Sequence, residues 1–170
     1  MTHLPLIQFV FLLEALVPAA AADARWKIIP NAAPAALSAG AVLLAEAQLC
    51  ALAWPAAEPA RQAAAACSSA RDILLPPALG LLMMLLLSAL CRIFAKDGLG
   101  MGDVKLFMAL GLYQGLTLAL RTLFIISVVS IPAALILTRA KGKTSHDRVA
   151  FGPYIAAGAV LSQLMTLLSL

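Results

Sequence analysis

Six long apolar stretches dominate this sequence, and each is close to the length of a bilayer crossing. They cover approximately residues 4–22, 32–54, 73–95, 103–120, 122–138 and 150–169. A transmembrane helix needs roughly 20 apolar residues. Only 12% of the chain is charged, whereas about a quarter of a soluble domain is. The sequence therefore predicts an all-α integral membrane protein, with one bundle of six transmembrane helices spanning residues 1–170.

The basic residues alternate from loop to loop and do not gather into one patch, which argues against a nucleic-acid partner. Three of the twelve lie near the second and fourth connections, namely Arg61, Arg71 and Arg121. The other nine flank the first, third and fifth connections: Arg25, Lys27, Arg92, Lys96, Lys105, Arg139, Lys141, Lys143 and Arg148. Cytoplasmic loops carry such an excess. The charges thus predict that both termini lie outside and that residues 97–106 lie at the cytoplasmic face.

The cysteine and histidine content predicts neither a metal site nor a bound cofactor. The three cysteines form no Cys-x-x-Cys pair, and the two histidines, His3 and His146, are far apart in the chain. Zinc sites need closely spaced ligand pairs. Cys50 and Cys67 are both expected on the outer side, where a disulfide could form, but free thiols are the favoured interpretation.

The first apolar stretch resembles the core of a signal peptide, since it is followed by small residues. However, no Lys or Arg precedes it, and Glu14 interrupts the apolar core. The first cations, Arg25 and Lys27, come after the stretch, which favours an uncleaved helix with its N-terminus outside.

The segment from Asp97 to Leu106 joins unusual backbone freedom to an acidic side chain. Gly98, Gly100 and Gly102 occupy alternate positions, and Asp103 opens the next apolar stretch. Glycine lets the backbone approach another chain closely. An ionisable residue at a membrane helix marks a functional site by default.

A second aspartate, Asp23, closes the first apolar stretch at the same predicted membrane level as Asp103. Pro30 cannot continue a helix, and Asn31 suits the N-cap of the second helix. Glu14 precedes Asp23 by nine residues. Nine helical steps of about 100° place it on the opposite face, so the two acids do not share a site. Lys105, two residues after Asp103, is expected to reach the lipid phosphates.

These two aspartates are the strongest candidates for chemistry. The glycines match no nucleotide-binding fingerprint, because position 105 is lysine and no strand precedes them. Two carboxyl groups in a partly desolvated place cannot both ionise easily, so one can activate water while the other donates a proton. From the residues alone, a water-activating protease, a proton-coupled transporter and an inert pair of helix-end acids all remain open.

Three segments resemble the type IV prepilin peptidases, a family of membrane aspartic proteases with a Gly-x-Gly-Asp motif. Gly-Leu-Gly-Met-Gly-Asp-Val-Lys-Leu is similar to the motif itself. Asp23 with the following basic residues and Ile-Pro-Asn resembles the first-aspartate segment, and Phe151-Gly-Pro-Tyr resembles the segment before the last helix. The resemblance implies that Asp23 and Asp103 are the catalytic pair. It also implies an active-site loop that contains Gly98, Gly100, Gly102 and Lys105. Four further residues are implied to be structural positions: Pro30, Asn31, Gly152 and Pro153.

The resemblance is to the short form of the family, which is found with Flp or tight-adherence pili. The long form carries an insertion with paired Cys-x-x-Cys motifs and also methylates the pilin, so no methyltransferase activity is expected here. The implied setting is the bacterial inner membrane, with the active site facing the cytoplasm. The implied substrate is a prepilin whose leader ends in glycine before an apolar helix. A proton-coupled carrier and a non-catalytic pilus-assembly scaffold are the alternatives.

The nine-to-three distribution of basic residues makes the topology testable. Single cysteines placed in the 139–148 loop should react with membrane-impermeant thiol reagents only after the cells are opened. Labelling of that loop in intact cells would overturn the predicted orientation.

Overall fold

The computed structural model describes residues 4–53, 59–94, 100–141 and 151–168, and all regular structure in these ranges is helical. The helices are α1 (Leu4–Trp26), α2 (Ala32–Ala53), α3 (Pro59–Phe94), α4 (Met101–Lys141) and α5 (Gly152–Leu168). The all-α prediction is confirmed.

Four of the described helices contain segments long and apolar enough to cross a membrane, and α5 is a shorter apolar helix. The four segments are Pro5–Trp26, Ala32–Cys50, Ala70–Ile93 and Met101–Pro132. The surface carries many exposed large apolar side chains, among them Leu43 at 63% and Phe124 at 69% exposure. Lipid tails can solvate such a surface, and water cannot do so without cost.

The helices pack around a small core of fully enclosed aliphatic side chains. Helix α4 contacts α2, α3 and α5, while α1 contacts α2 and α5. The enclosed side chains come from every helix and include Leu12, Leu16, Leu37, Met84, Leu106, Leu110 and Ile155. Glu14 is exposed on α1 whereas Asp23 is buried, in agreement with their expected separation.

Two predicted boundaries are wrong. Residues 59–72 were expected to form a loop, but they are the first part of α3. Their alanine run favours a helix, and Pro59 suits a helix first turn. The first apolar stretch was expected to end near residue 22, but α1 continues through Asp23 to Trp26. The Asp23 carbonyl accepts a hydrogen bond from Lys27 N–H at 2.8 Å, and Lys27 has a left-handed φ of 54°, which ends the helix.

Helix α4 contains a break at Gly115, where φ is 70° and ψ is 175°. A positive φ is open to glycine and costly for other residues. We call residues 101–114 the first limb and residues 116–141 the second limb. The short outer turn was predicted at Arg121, but Arg121 is helical in the second limb and donates to the Thr166 hydroxyl at 3.2 Å.

The contacts with α5 show that the chain reverses at this break. Along the first limb, Gln114 Nε2 donates to the carbonyl of Ala159. Along the second limb, Leu118 accepts from the Ser162 hydroxyl, whereas Ile126 lies against Gly158. Phe107 of the first limb and Ile126 of the second limb also line one cavity with Met84 of α3, although an unbroken helix would place residues at this spacing roughly 28 Å apart. Two antiparallel limbs take the place of the predicted fourth and fifth spans, and six bilayer crossings remain a prediction.

A second glycine contact holds α3 close to the first limb. A side-chain carbon at Gly80 would overlap the carbonyl oxygen of Gly111, and a carbon at Gly111 would overlap that of Gly80. Membrane helices use such small residues to bring their backbones together. Gly80 is in α3 and Gly111 is in α4, so no local spacing in the sequence identifies this pair.

Replacement of Gly80 by valine should therefore push α3 away from α4. The expected loss is about 1–3 kcal/mol, the usual cost of overpacking, measured as lower thermal stability in detergent. Ala78→Val is the matched control, because Ala78 is exposed on the same helix. Equal stability of the two variants would contradict the close contact.

Candidate active site

Asp23 is a buried carboxyl group in the last turns of α1, with a side-chain exposure of 5%. Its Oδ2 accepts a hydrogen bond of 2.7 Å from the backbone N–H of Gly152. Gly152 is the first residue of α5. The first N–H groups of a helix have no partner within the helix, and they attract negative charge. The N-terminus of α5 therefore binds and orients the Asp23 carboxyl group.

This contact explains the Phe-Gly-Pro segment in physical terms. A side-chain carbon at Gly152 would lie 2.8 Å from both Cβ and Oδ2 of Asp23, which is too close for a non-glycine residue. Pro153 has no N–H and suits the first turn of a helix. Gly152 and Pro153 were predicted only as structural positions, yet Gly152 donates directly to one of the candidate acids.

Asp103 lies in the first turn of α4 and is half-buried. Its Oδ2 accepts a hydrogen bond of 3.3 Å from the N–H of Gly100, just before the helix begins. An acid at the third helical position commonly reaches back in this way, as in a capping box. The other oxygen, Oδ1, is buried and has no hydrogen-bond partner among the described residues. Asp103 is thus held at one oxygen and free at the other.

The two carboxyl groups lie at the same end of the bundle, because Ile29, six residues after Asp23, packs against Gly102, which directly precedes Asp103. They are 80 residues apart in the chain, so the fold brings them together. The arrangement has the parts that acid–base catalysis on a water molecule needs: two carboxyl groups in a partly desolvated place, each with one oxygen oriented by a backbone N–H.

The chain that follows Asp23 packs on the helix turn that carries Asp103. Ile29 is 9% exposed, and its Cβ lies 3.1 Å from where a side-chain carbon at Gly102 would be. Gly102 therefore leaves room for Ile29. Ile29 was not identified from the sequence. The signal available was its place in an Ile-Pro pair, where the proline forces the chain to leave the helix.

Lys105 and Asn31 form a second link between these two segments. Lys105 Nζ donates to Asn31 Oδ1 at 3.2 Å, so its partner in the structure is a protein side chain, whereas lipid phosphates were expected. Asn31 precedes α2, and its carbonyl accepts from Ala35 N–H at 3.2 Å, which is the N-cap position that the sequence predicted. Its side chain, however, binds Lys105.

The structure thus brings most of the predicted site residues together at one end of the bundle. Gly98 and the nearby Asp97 lie outside the described residues. Cys50 has a free thiol, in agreement with the favoured interpretation. Among the described residues, no three His, Cys, Asp or Glu side chains are grouped as a metal site would require.

Comparison with known proteins identifies the family. The sequence profile of the type IV leader peptidase family matches residues 10–136, and this range includes both candidate aspartates. No curated protein and no solved structure matches the chain at a significant level. The profile covers about three quarters of the chain, and on this match the protein belongs to the type IV leader peptidase family.

Proposed function

We propose that this protein is an aspartic endopeptidase that removes the leader peptide from Flp-type prepilins at the cytoplasmic face of the bacterial inner membrane. Membership of the family supports peptidase activity on prepilins. The observation that supports the finer proposal is the pair of carboxyl groups, Asp23 and Asp103, which come from two helices and lie at one end of the bundle, each bonded to a backbone N–H.

In the proposed reaction, water is the nucleophile and the two carboxyl groups handle its protons. Asp23 is the better placed base, because the positive end of α5 and the Gly152 N–H face its carboxylate. Asp23 takes a proton from water, and the oxygen of that water bonds to the scissile carbonyl carbon. Asp103, with Oδ1 unpaired, is the better placed acid. It gives its proton to the carbonyl oxygen.

Collapse of this tetrahedral intermediate breaks the bond between carbon and nitrogen. Asp23 gives the proton that it took from water to the leaving nitrogen, and Asp103 recovers a proton from one hydroxyl group of the intermediate, so both carboxyl groups return to their starting states. The leader gains a carboxyl group, and the mature pilin gains a free amino group. No methyl transfer follows in this proposal, because the chain has no paired Cys-x-x-Cys motif.

The backbone near Asp103 supports access for an extended peptide. A side-chain carbon at Gly100 would lie 3.1 Å from Asp103 Oδ2, so any side chain here would crowd the carboxyl group. Glycine keeps this approach open and leaves peptide groups available to bind another backbone. Lys105 bonds to Asn31, which keeps the turn that carries Asp103 fixed to the segment after Asp23.

If the two carboxyl groups act as one unit, their replacement should have non-additive effects. Asp23→Asn, Asp103→Asn and the double variant should each lose nearly all cleavage of a purified prepilin, to about the same extent. The wild-type rate should be bell-shaped in pH, because one group must be protonated and the other ionised. The measurement is the mass of the pilin after incubation with protein in detergent.

Glu14→Gln is the matched control, since Glu14 is an exposed acid on the same helix as Asp23. This variant should retain most of the activity. Cleavage by Asp23→Asn at the wild-type rate would show that the pair is wrongly assigned.

The hydrogen bond from Gly152 can be tested separately from the carboxyl groups. Gly152→Ala places a methyl group against Asp23, so the carboxyl group must move. Misplacement of a catalytic group by about 1 Å can cost roughly 100-fold in rate, and we expect a loss of this order in kcat. Ala157→Val, on an exposed face of α5, should leave kcat unchanged. Wild-type kcat in Gly152→Ala would exclude an orienting role for α5.

A further inference from the structure

Helix α1 presents an acidic side chain on its exposed surface, close to the middle of a membrane-length segment. Glu14 is exposed, and the segment that contains it, Pro5–Trp26, has 22 residues. The Glu14 carboxyl group has no hydrogen-bond or ion-pair partner among the described residues. An ionisable side chain in the middle of a bilayer is costly, and such side chains are usually paired with one another or with backbone carbonyls. The single chain therefore leaves Glu14 without the partner that this position requires.

The other exposed acids in the membrane-length segments lie near the membrane surface. Glu46 and Asp72 are both exposed. Glu46 comes four residues before its segment ends at Cys50, and Asp72 comes two residues after its segment begins at Ala70. Four residues of helix span about 6 Å, so both acids are close to the headgroups. Among these exposed acids, Glu14 alone has a position that calls for a partner inside the bilayer.

Glu14 belongs to a line of exposed side chains whose spacing is typical of paired helices. Ile7, Val10, Glu14, Val17 and Ala21 are all exposed, and they follow one another at intervals of three, four, three and four residues. At about 100° per residue, the five positions fall within an arc of about 80° on one side of α1. A repeat of this kind forms the seam along which two helices pack. We call these five residues the α1 stripe.

A second copy of the chain carries a surface that matches the α1 stripe. Two copies insert in the same orientation, because the same basic residues determine it, so a two-fold axis between them is perpendicular to the membrane. Residues next to such an axis meet their own counterparts. Glu14 then meets the partner's Glu14 at the same depth. A carboxyl group that carries a proton can donate it to an oxygen of the other carboxyl group, so each acid is the partner that the other lacks.

We propose that two copies of this protein pair in the membrane through the α1 stripe, with their Glu14 carboxyl groups hydrogen-bonded to each other. A single polar residue in an apolar seam sets the register and the number of helices that associate. The pairing does not depend on the proposed peptidase activity. Asp23 is bonded to Gly152 of α5, on the side of α1 opposite to Glu14, so the interface leaves the candidate active site uncovered.

The test is the monomer–dimer equilibrium of the full-length protein in liposomes. The protein is labelled once at its C-terminus, and single-molecule photobleaching gives the fraction of dimers at a series of protein-to-lipid ratios. Glu14→Leu should raise the dissociation constant about ten-fold, which is the scale of one hydrogen bond between membrane helices. Glu14→Gln should stay close to the wild-type constant, because two amide groups also form hydrogen bonds between membrane helices.

Glu46→Leu is the matched control, since it removes an exposed acid from α2 and should leave the dissociation constant unchanged. Glu14→Leu should fold like the wild-type protein, because Glu14 has no partner among the described residues. Equal thermal stability of the two proteins in detergent, at a dilution where both are monomers, would show that the change in association is not a loss of folding.

Disulfide cross-linking locates the contact on the surface. With the three native cysteines replaced by serine, Val17→Cys should link two copies under oxidising conditions. Leu43→Cys, at an exposed position of α2, should not. Three results would each overturn the proposal: monomers at every protein-to-lipid ratio, a dimer with the same dissociation constant in Glu14→Leu as in the wild type, or a dimer linked through Leu43→Cys alone. Cross-linking of Val17→Cys only to a different membrane protein in native membranes would also overturn it.

Discussion

The hydrogen bond between Asp23 and the N–H of Gly152 is the contact on which the geometry of the candidate site depends. It joins α1 to the start of α5 across 129 residues of sequence, at 2.7 Å and away from solvent. A buried carboxylate without partners is very costly, and the start of a helix supplies both a donor and a favourable field. The same bond holds the Asp23 side chain against the start of α5. The packing of α1 and α5 therefore orients the Asp23 carboxyl group.

The break at Gly115 creates a related need to pair polar groups, deeper in the bundle. Reversal of a helix within an apolar environment frees backbone groups, and in lipid each must find a partner. Polar side chains gather there: the Thr122 hydroxyl donates to Gln114 Oε1 at 2.8 Å, and Gln114 Nε2 donates to the Ala159 carbonyl. These bonds tie the two limbs to each other and to α5. They let Phe107 and Ile126, from different limbs, form one wall beside the site.

The sequence predicted the helical class, the two aspartates and the segments around them, because each depends on a local pattern: apolar length, a glycine-rich turn or an acid next to an apolar stretch. It placed the outer turn at Arg121, since a charge usually ends a membrane span. The actual break lies at Gly115, where φ is positive and where the backbone packs beside Pro76 of α3, a contact between residues that are distant in the chain. The sequence also did not identify Gly80, Ile29 or the role of Gly152, because each of them matters through close contacts with residues far away in the chain.

The central claim is that the carboxyl pair activates water against a peptide bond and does not carry protons across the membrane. The purified protein can be reconstituted into liposomes that hold a pH-sensitive dye, with a leader-bearing prepilin in the same bilayer. Mass spectrometry of the pilin and dye fluorescence are then followed together under an imposed potential. We predict a mature pilin cut after the leader glycine and no proton flux above that of empty liposomes. Proton flux without any change in pilin mass would contradict the account.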